Sequence, residues 1–200
     1  MRFARNLYTP PASRTPRGIQ VLFWDPRVAW LWLLVRLYVG YEWLDAGYHK
    51  IRDDAWMSTG TALQGFWKSS TAIPQTGSPR ITYDWYRDFL TYMLDNEWYT
   101  WFAKLIAVGE FAIGIALIIG AFVGVAAFFG AFMNFNFMLA GSSSTNPVLF
   151  FMAIGLLLAW RIGGYFGVDR VLLPAIGTPW EPGRILGRGG GQRQPAAQHR

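Results

Sequence analysis

Three ionisable side chains stand close together near the end of the first apolar stretch of the chain, at Glu42, Asp45 and His49. An α-helix has about 3.6 residues per turn, so these positions share one helix face. A carboxylate beside an imidazole can take up or pass on a proton, which is the proton chemistry that quinone reduction needs. The neighbours that we expect to contact a quinone ring and head are Tyr41, Trp43, Tyr48 and Lys104. The alternative is a solvated helix end without chemistry, and the spacing alone does not decide between them.

A second layer of polar residues lies deeper in the apolar stretches. Counting about 1.5 Å per residue from the start of each stretch brings Arg36, Glu110 and Asn134 to a similar depth. A charge that faces lipid is costly, so we expect these side chains to face the interior. We predict a structural polar core in which Arg36 pairs with Glu110 and the Asn134 amide completes their hydrogen bonds.

The composition indicates that these residues belong to helices in a membrane. The chain of 200 residues is 52% hydrophobic and only 15% charged, whereas charged residues make up roughly 25% of soluble domains. We predict spans at about 28–48, 101–123, 125–140 and 147–166, for a bilayer core roughly 30 Å thick. The predicted fold is therefore all-α, a four-helix transmembrane bundle within a membrane domain that covers 28–172.

The segment between the first two spans, 49–100, is too long for a simple connection. It is rich in aromatic residues, and Ala55–Trp67 and Tyr83–Leu94 each have the pattern of a short amphipathic helix at a membrane interface. We therefore expect an ordered extracytoplasmic segment.

The distribution of basic residues predicts the orientation. Arginines are concentrated in the two tails, 1–27 and 173–200, and the end of the second tail has a composition typical of disorder. Four spans bring both tails to one side, and positive residues favour the cytoplasmic side. We expect a multi-pass protein of a prokaryotic inner membrane with both termini in the cytoplasm.

Several kinds of site are excluded by residue counts. The chain has no cysteine, which removes disulfides, thiolate catalysis, cysteine-ligated iron–sulfur clusters and c-type haem. With His49 and His199 as its two histidines, it offers no pair for haem within the membrane domain, and no metal site is predicted. Nucleic-acid binding by the terminal arginines is disfavoured because the intervening segments are too apolar. A redox cofactor would be a diffusible quinone or would belong to a partner.

Four segments carry a family resemblance, namely LVRLYVGYEWLDAGYHKI, AWMSTGTALQGFW, KLIAVGEFAIGIALIIGAF and GSSSTNPVLFFMAIGLLLAWRIGGYFGVDRVL. Over about Leu34 to Leu172 the chain resembles the DoxX/DoxD family of small four-span membrane proteins. The motif positions are Arg36, Lys50, Glu110, Asp169 and Arg170. The long segment with its G-F-W sequence is similar to the DoxD branch, the membrane subunit of thiosulfate:quinone oxidoreductase. That resemblance implies oxidation of thiosulfate to tetrathionate, quinone as electron acceptor and a small DoxA-like partner subunit.

The leading hypothesis is a membrane subunit of a quinone-linked oxidoreductase, in which Glu42, Asp45 and His49 manage protons. The alternative is a non-catalytic scaffold or assembly subunit of a respiratory or redox membrane complex, in which Arg36 and Glu110 lock the bundle. A transporter is less favoured, because four spans without evident inverted repeats offer little for alternating access. Asp169 and Arg170 are interpreted as a charge pair at a helix end.

Overall fold

In a computed structural model of the protein, residues 16–178, 181–183 and 185 are described. The described part is helical apart from one two-stranded hairpin, so the predicted all-α class is confirmed. The elements in chain order are α1 (Arg17–Trp24), a 3-10 turn (Pro26–Val28), α2 (Ala29–Ile51), α3 (Asp54–Met57), α4 (Thr61–Thr71), α5 (Asp84–Asp95), α6 (Tyr99–Ile119), α7 (Val123–Leu139), α8 (Asn146–Leu158), α9 (Trp160–Gly163), α10 (Asp169–Ile176), β1 (Gly177–Thr178) and β2 (Glu181–Pro182).

Helices α2 and α6 form the most extensive contact in the fold, and α7 packs along α8 in a second pair. The first pair is antiparallel and close, because Gly47 lies against the backbone of Phe111 and Gly114 lies against the backbone of Leu44. A side chain at either glycine would collide with the neighbouring helix, so the two small residues permit the approach. This contact sets the height of every polar residue on α2 relative to α6.

One helix in the described part, α6, is by itself long and apolar enough to cross a membrane. Helices α7 and α8 are also apolar but have 17 and 13 residues. Helix α2 has 23 residues, and its charged residues include Arg36, Glu42 and Asp45. The four-span arrangement therefore stays a prediction.

The connection between the second and third long helices falls earlier than predicted. It lies at residues 120–122 rather than at Gly124, because Gly120 (φ 71°) and Phe122 (φ 50°) adopt left-handed backbone conformations. Helix α7 then begins at Val123, where the Asp169 carboxylate accepts the first backbone N–H groups. Asp169, a residue distant in the sequence, therefore determines where α7 begins, and the local sequence does not predict that position.

The segment between α2 and α6 is ordered, as expected, but its first predicted helix is two helices. Gly60, with φ 72°, separates α3 from α4. Helices α4 and α5 pack on each other, and their buried side chains form a second hydrophobic core against the start of α6 that includes Leu63, Trp67, Tyr86, Leu90 and Met93.

Helical structure extends beyond the predicted domain limits at 27 and 172. Helix α1 lies in the predicted N-terminal tail and packs on α2, where the Trp32 indole donates a 2.7 Å hydrogen bond to the Leu22 carbonyl. At the other end, the limit at 172 cuts through α10, which continues into the hairpin of β1 and β2. Both segments are held by tertiary contacts that composition does not reveal. Residues 1–15 and the predicted disordered stretch 187–200 lie outside the described residues.

Candidate functional site

The predicted proton-handling residues lie on the outward face of α2. The side chains of Asp45 and His49 are 51% and 73% exposed, while Glu42 is half-buried. His49 Nδ1 lies 2.9 Å from the Asp45 carbonyl oxygen and 3.5 Å from its carboxylate. Because a carbonyl oxygen only accepts, Nδ1 carries the hydrogen, which leaves Nε2 of the neutral ring to accept a proton.

Of the predicted quinone-contacting residues, Tyr41 and Tyr48 share this outward face, each well exposed. The Tyr48 hydroxyl accepts a 2.5 Å hydrogen bond from Arg52. Trp43 is on the opposite face, 3% exposed, with its indole nitrogen close to Gly130 of α7. Lys104 is exposed on another helix, α6. The structure thus brings Glu42, Asp45, His49, Tyr41 and Tyr48 together and separates Trp43 and Lys104 from them.

The height of Asp45 on the bundle is unusual for an exposed carboxylate. Its neighbour Leu44 touches Gly114, about three quarters of the way along α6, the long apolar helix of the described part. On α6 the outward side chains at this height include Ile115. An exposed carboxylate at the height of apolar surface is costly in lipid, so this face is expected to be covered by a partner or a ligand.

The predicted pairing of Arg36 with Glu110 is wrong, although both side chains are buried, each 1% exposed. Glu110 instead accepts a 2.5 Å hydrogen bond from the Lys50 ammonium, which lies 5.0 Å from the ring centre of Trp56. Lys50 lies near the end of α2, and its long side chain carries the charge to Glu110 inside the bundle.

Arg36 is held at the other end of the bundle. Its guanidinium donates a 3.1 Å hydrogen bond to the Phe166 carbonyl and packs against Gly120 and Gly167, where a side chain would collide with it. It also lies near enough to Asp169 for their charges to attract. The guanidinium is therefore bonded to the segment after α9 and not to Glu110 of α6.

Asp169 is a cap rather than half of a charge pair. Its carboxylate oxygens accept hydrogen bonds from the backbone N–H groups of Phe122 (2.6 Å) and Val123 (2.8 Å) at the start of α7. Burial raises the pKa of the Asp169 carboxyl, and these hydrogen bonds and the Arg36 charge oppose that rise. Arg170 turns away and lies 5.0 Å from the ring centre of Tyr165.

Asn134 is fully buried on α7, as predicted, but its amide has no hydrogen-bond partner among the described residues. The expected hydrogen bonds to Arg36 and Glu110 are not formed: Arg36 donates to the Phe166 carbonyl at the other end of the bundle, and Glu110 accepts from Lys50. Asn136 lies on another face, where its carbonyl oxygens accept from the Tyr86 hydroxyl at 3.1 and 3.3 Å.

A cavity of about 520 Å³ opens at the Asp169 end of the bundle. Its walls come from α7, α8, α9, α10 and β1 and include Phe122, Val125, Leu157, Trp160, Leu172 and Thr178. Sequence reasoning missed it because 173–178 was assigned to a tail. The apolar run VLLPAI directly after Asp169 and Arg170 was the available signal for another packed helix.

The comparison with protein families gives one match, in which the DoxX family model matches residues 31–142, from α2 to just beyond α7. The comparisons with curated proteins and with solved structures gave no match. The matched region contains more than half of the 200 residues and most of the polar residues described above. The chain therefore belongs to the DoxX family, a family of membrane proteins.

Proposed function

We propose that this protein is an integral membrane subunit of a quinone-linked oxidoreductase. In this proposal α2, α6, α7 and the pair of α8 and α9 cross the membrane, α3 to α5 lie on the outer side, and both termini are cytoplasmic. The apolar exposed surfaces of α6, α7 and α8 support it, since large side chains such as Leu105, Phe132 and Phe151 are half or more exposed. Those surfaces suit contact with lipid.

The observation that carries the redox part of the proposal is the exposed face of α2. Asp45 and His49 are in contact, beside Tyr41 and Tyr48, at the height of apolar α6 residues. A quinone head diffusing in the membrane could meet proton-carrying groups there without leaving the apolar layer. The face is open on this chain, so a partner subunit would supply the rest of the pocket.

The chemistry assigned to this face is proton delivery. Reduction of a quinone to a quinol takes two electrons and two protons. His49 gives a proton from Nε2 once protonated, and Asp45 stabilises the imidazolium through their contact. Glu42, one turn deeper, would relay the second proton. The electrons come from a partner, and the donor implied by the sequence resemblance is thiosulfate: two thiosulfates joined through a new S–S bond release the two electrons.

A photoreactive quinone tests the location of the head group. Membranes that contain the protein with its native partners are irradiated with the probe, and labelled peptides are identified by mass spectrometry. We expect labelling within 38–52 that excess unlabelled quinone prevents, and weaker labelling in Asp45→Leu than in the matched control Asp88→Leu, whose exposed acid lies on α5. Labelling that is absent from 38–52, or equal in the two variants, would overturn the site.

The absence of cysteine makes a clean topology test available. Single cysteines are introduced at Ser78, in the exposed segment between α4 and α5, and at Gly18, where a side chain meets no neighbour. The proposal predicts that a membrane-impermeant maleimide labels Ser78→Cys in intact spheroplasts and labels Gly18→Cys only after permeabilisation. Labelling of both in intact cells, or the reverse pattern, contradicts the proposed orientation.

A second candidate, a non-catalytic scaffold subunit, is favoured by two pairs of buried opposite charges. Lys50 is bonded to Glu110 and Arg36 is attracted to Asp169, so each pair links segments that are distant in the sequence. A scaffold requires these contacts and not the α2 face. If Glu110→Ala releases partner subunits in a pull-down while Asp45→Leu leaves the activity of the complex intact, the scaffold hypothesis replaces the hypothesis of a quinone-linked oxidoreductase subunit.

A further inference from the structure

The cavity at the Asp169 end of the bundle lies apart from the α2 face and is almost entirely apolar. Its walls include the rings of Phe122 and Trp160 and the side chains of Leu157 and Leu172. Its volume of about 520 Å³ falls within the range of pockets that hold small organic ligands, roughly 300 to 1,000 Å³. The size and lining suit a molecule with a substantial apolar body.

The polar groups of the cavity define the head of such a molecule. Thr178 lines the cavity, and its hydroxyl is buried without a hydrogen-bond partner among the described residues. A buried hydroxyl without a partner costs free energy, which a ligand oxygen would recover. The other polar side chain in the wall, that of Asp169, already accepts hydrogen bonds from the backbone N–H groups of Phe122 and Val123.

The charged residues that line the cavity indicate which charge the head of the ligand can carry. Among the described residues, the lining includes one carboxylate, that of Asp169, and no lysine or arginine; Arg36, which is attracted to Asp169, does not line the cavity. An anionic head would be desolvated there without a cation to offset the cost, next to a group that can itself be negative. An uncharged head with one oxygen that accepts a hydrogen bond avoids both penalties.

We propose that this cavity binds an uncharged amphiphile, with its apolar body against Phe122, Trp160 and Leu172 and its head oxygen accepting a hydrogen bond from Thr178. This chemistry is shared by the ring of an alkylated quinone and by a long-chain alcohol. The site is independent of the proposed redox role, since it lies at the other end of the bundle from Asp45 and His49.

Native mass spectrometry of the purified full chain, released from detergent, tests the site with three probes of equal tail length. These are a benzoquinone with a decyl tail, 1-decanol and decanoate. We expect one-to-one adducts with the quinone and the alcohol and an at least tenfold weaker adduct with decanoate. Tighter binding of either uncharged probe supports the site and identifies the source of its ligand. Adducts with none of the three, or with decanoate as strongly as with decanol, overturn it.

Two matched variants test whether the bound probe occupies this cavity. Val125 lines the cavity, whereas Val171 is 74% exposed on α10 and does not line it. Val125→Trp should fill the space and weaken the adduct at least tenfold, while Val171→Trp should leave it unchanged. Equal effects of the two substitutions contradict the proposal.

Thr178→Val gives a test that does not depend on the Trp variants folding. It removes the hydroxyl at nearly constant volume, and since that hydroxyl has no partner in the described structure, thermal stability without ligand should not fall. The affinity for the uncharged probes should fall about fivefold to tenfold, the value of one hydrogen bond. An unchanged affinity means that Thr178 does not hold the head and overturns the assignment.

Discussion

The Lys50 ammonium donates a 2.5 Å hydrogen bond to the Glu110 carboxylate, which lies 60 positions farther along the chain. The carboxylate is 1% exposed and the lysine side chain 21% exposed. The pair therefore joins the end of α2 to the middle of α6 inside the bundle. Among the described residues, Arg36 and Asp169 are a second pair of buried opposite charges on separate segments, and their charges attract each other.

Breaking this pair on one side should be more harmful than removing it altogether. Lys50→Met leaves a buried carboxylate without its cation, and we expect the free energy of unfolding to fall by about 3 kcal/mol or more. The double variant Lys50→Met, Glu110→Met should recover much of that loss because no buried charge is left. The free energy of unfolding of the wild type, the single variant and the double variant is measured by denaturation in mixed detergent micelles.

The exposed pair of Asp84 and Arg87 is the control for this comparison. The Asp84 side chain is 80% exposed, so Asp84→Asn should cost less than about 1 kcal/mol. If Lys50→Met costs no more than Asp84→Asn, the buried pair does not hold the bundle together.

The positions of the long helices could be predicted from the sequence, whereas the partners of their buried charges could not. The four predicted spans correspond to α2, α6, α7 and the pair of α8 and α9, because apolar length and a break such as Asn146 and Pro147 are local signals. The predicted pairing of the buried charges, Arg36 with Glu110, is wrong, because Glu110 is bonded to Lys50. Depth counting measures the position of the backbone, whereas Lys50 and Arg36 carry their charges along the helix by the length of a side chain.

In the candidate site, too, features that follow from helical periodicity were predictable and features that depend on packing between helices were not. The shared face of Glu42, Asp45 and His49 followed from helical periodicity, and the contact of Asp45 with His49 agrees with it. The inward position of Trp43 depends on where α7 packs, next to Gly130, and periodicity does not contain that information. The cap by Asp169 and the cavity beside it likewise arise from contacts between segments more than 40 residues apart.

Asp169 should be a stronger cap than an ordinary helix cap. Asp169→Ala removes the acceptor of two backbone N–H groups and the attraction to buried Arg36, and we expect a loss of about 2 kcal/mol or more in the free energy of unfolding. Asp53→Ala removes an exposed cap, the acceptor of the Ala55 N–H, and should cost about 1 kcal/mol or less. Equal losses in the two variants would show that burial and Arg36 add nothing.

The close approach of α2 and α6 should tolerate no added side chain. Gly114→Ala would bring a methyl group against the Leu44 backbone, so we expect a marked loss of stability and a lower yield of folded protein. Gly65→Ala is the matched control, because a methyl group there meets no neighbour and alanine favours the helix by roughly 0.5 to 1 kcal/mol. A stable Gly114→Ala protein would contradict the described contact.

Ionisation of the buried Tyr86 hydroxyl should lower the free energy of unfolding at high pH. Burial raises the pKa of its hydroxyl from 10.0 to about 12, so between these values the folded protein retains a proton that the unfolded chain releases. The contribution is fully present below pH 10 and is lost as the pH rises to 12, by roughly 2 to 3 kcal/mol. The difference in unfolding free energy between wild type and Tyr86→Phe should shrink over this window. A constant difference would show that the hydroxyl titrates normally.

The central claim, that the outward face of α2 serves quinone reduction, is tested most directly by turnover of the native complex. The complex is purified from membranes by a tag on this chain, and reduction of a decyl quinone by thiosulfate is followed by absorbance. The account predicts that Asp45→Asn and His49→Gln each lower kcat at least tenfold, while Asp88→Asn leaves it unchanged and the subunits stay together. Wild-type turnover that persists in both α2 variants, or a complex that reduces no quinone with thiosulfate, would contradict it.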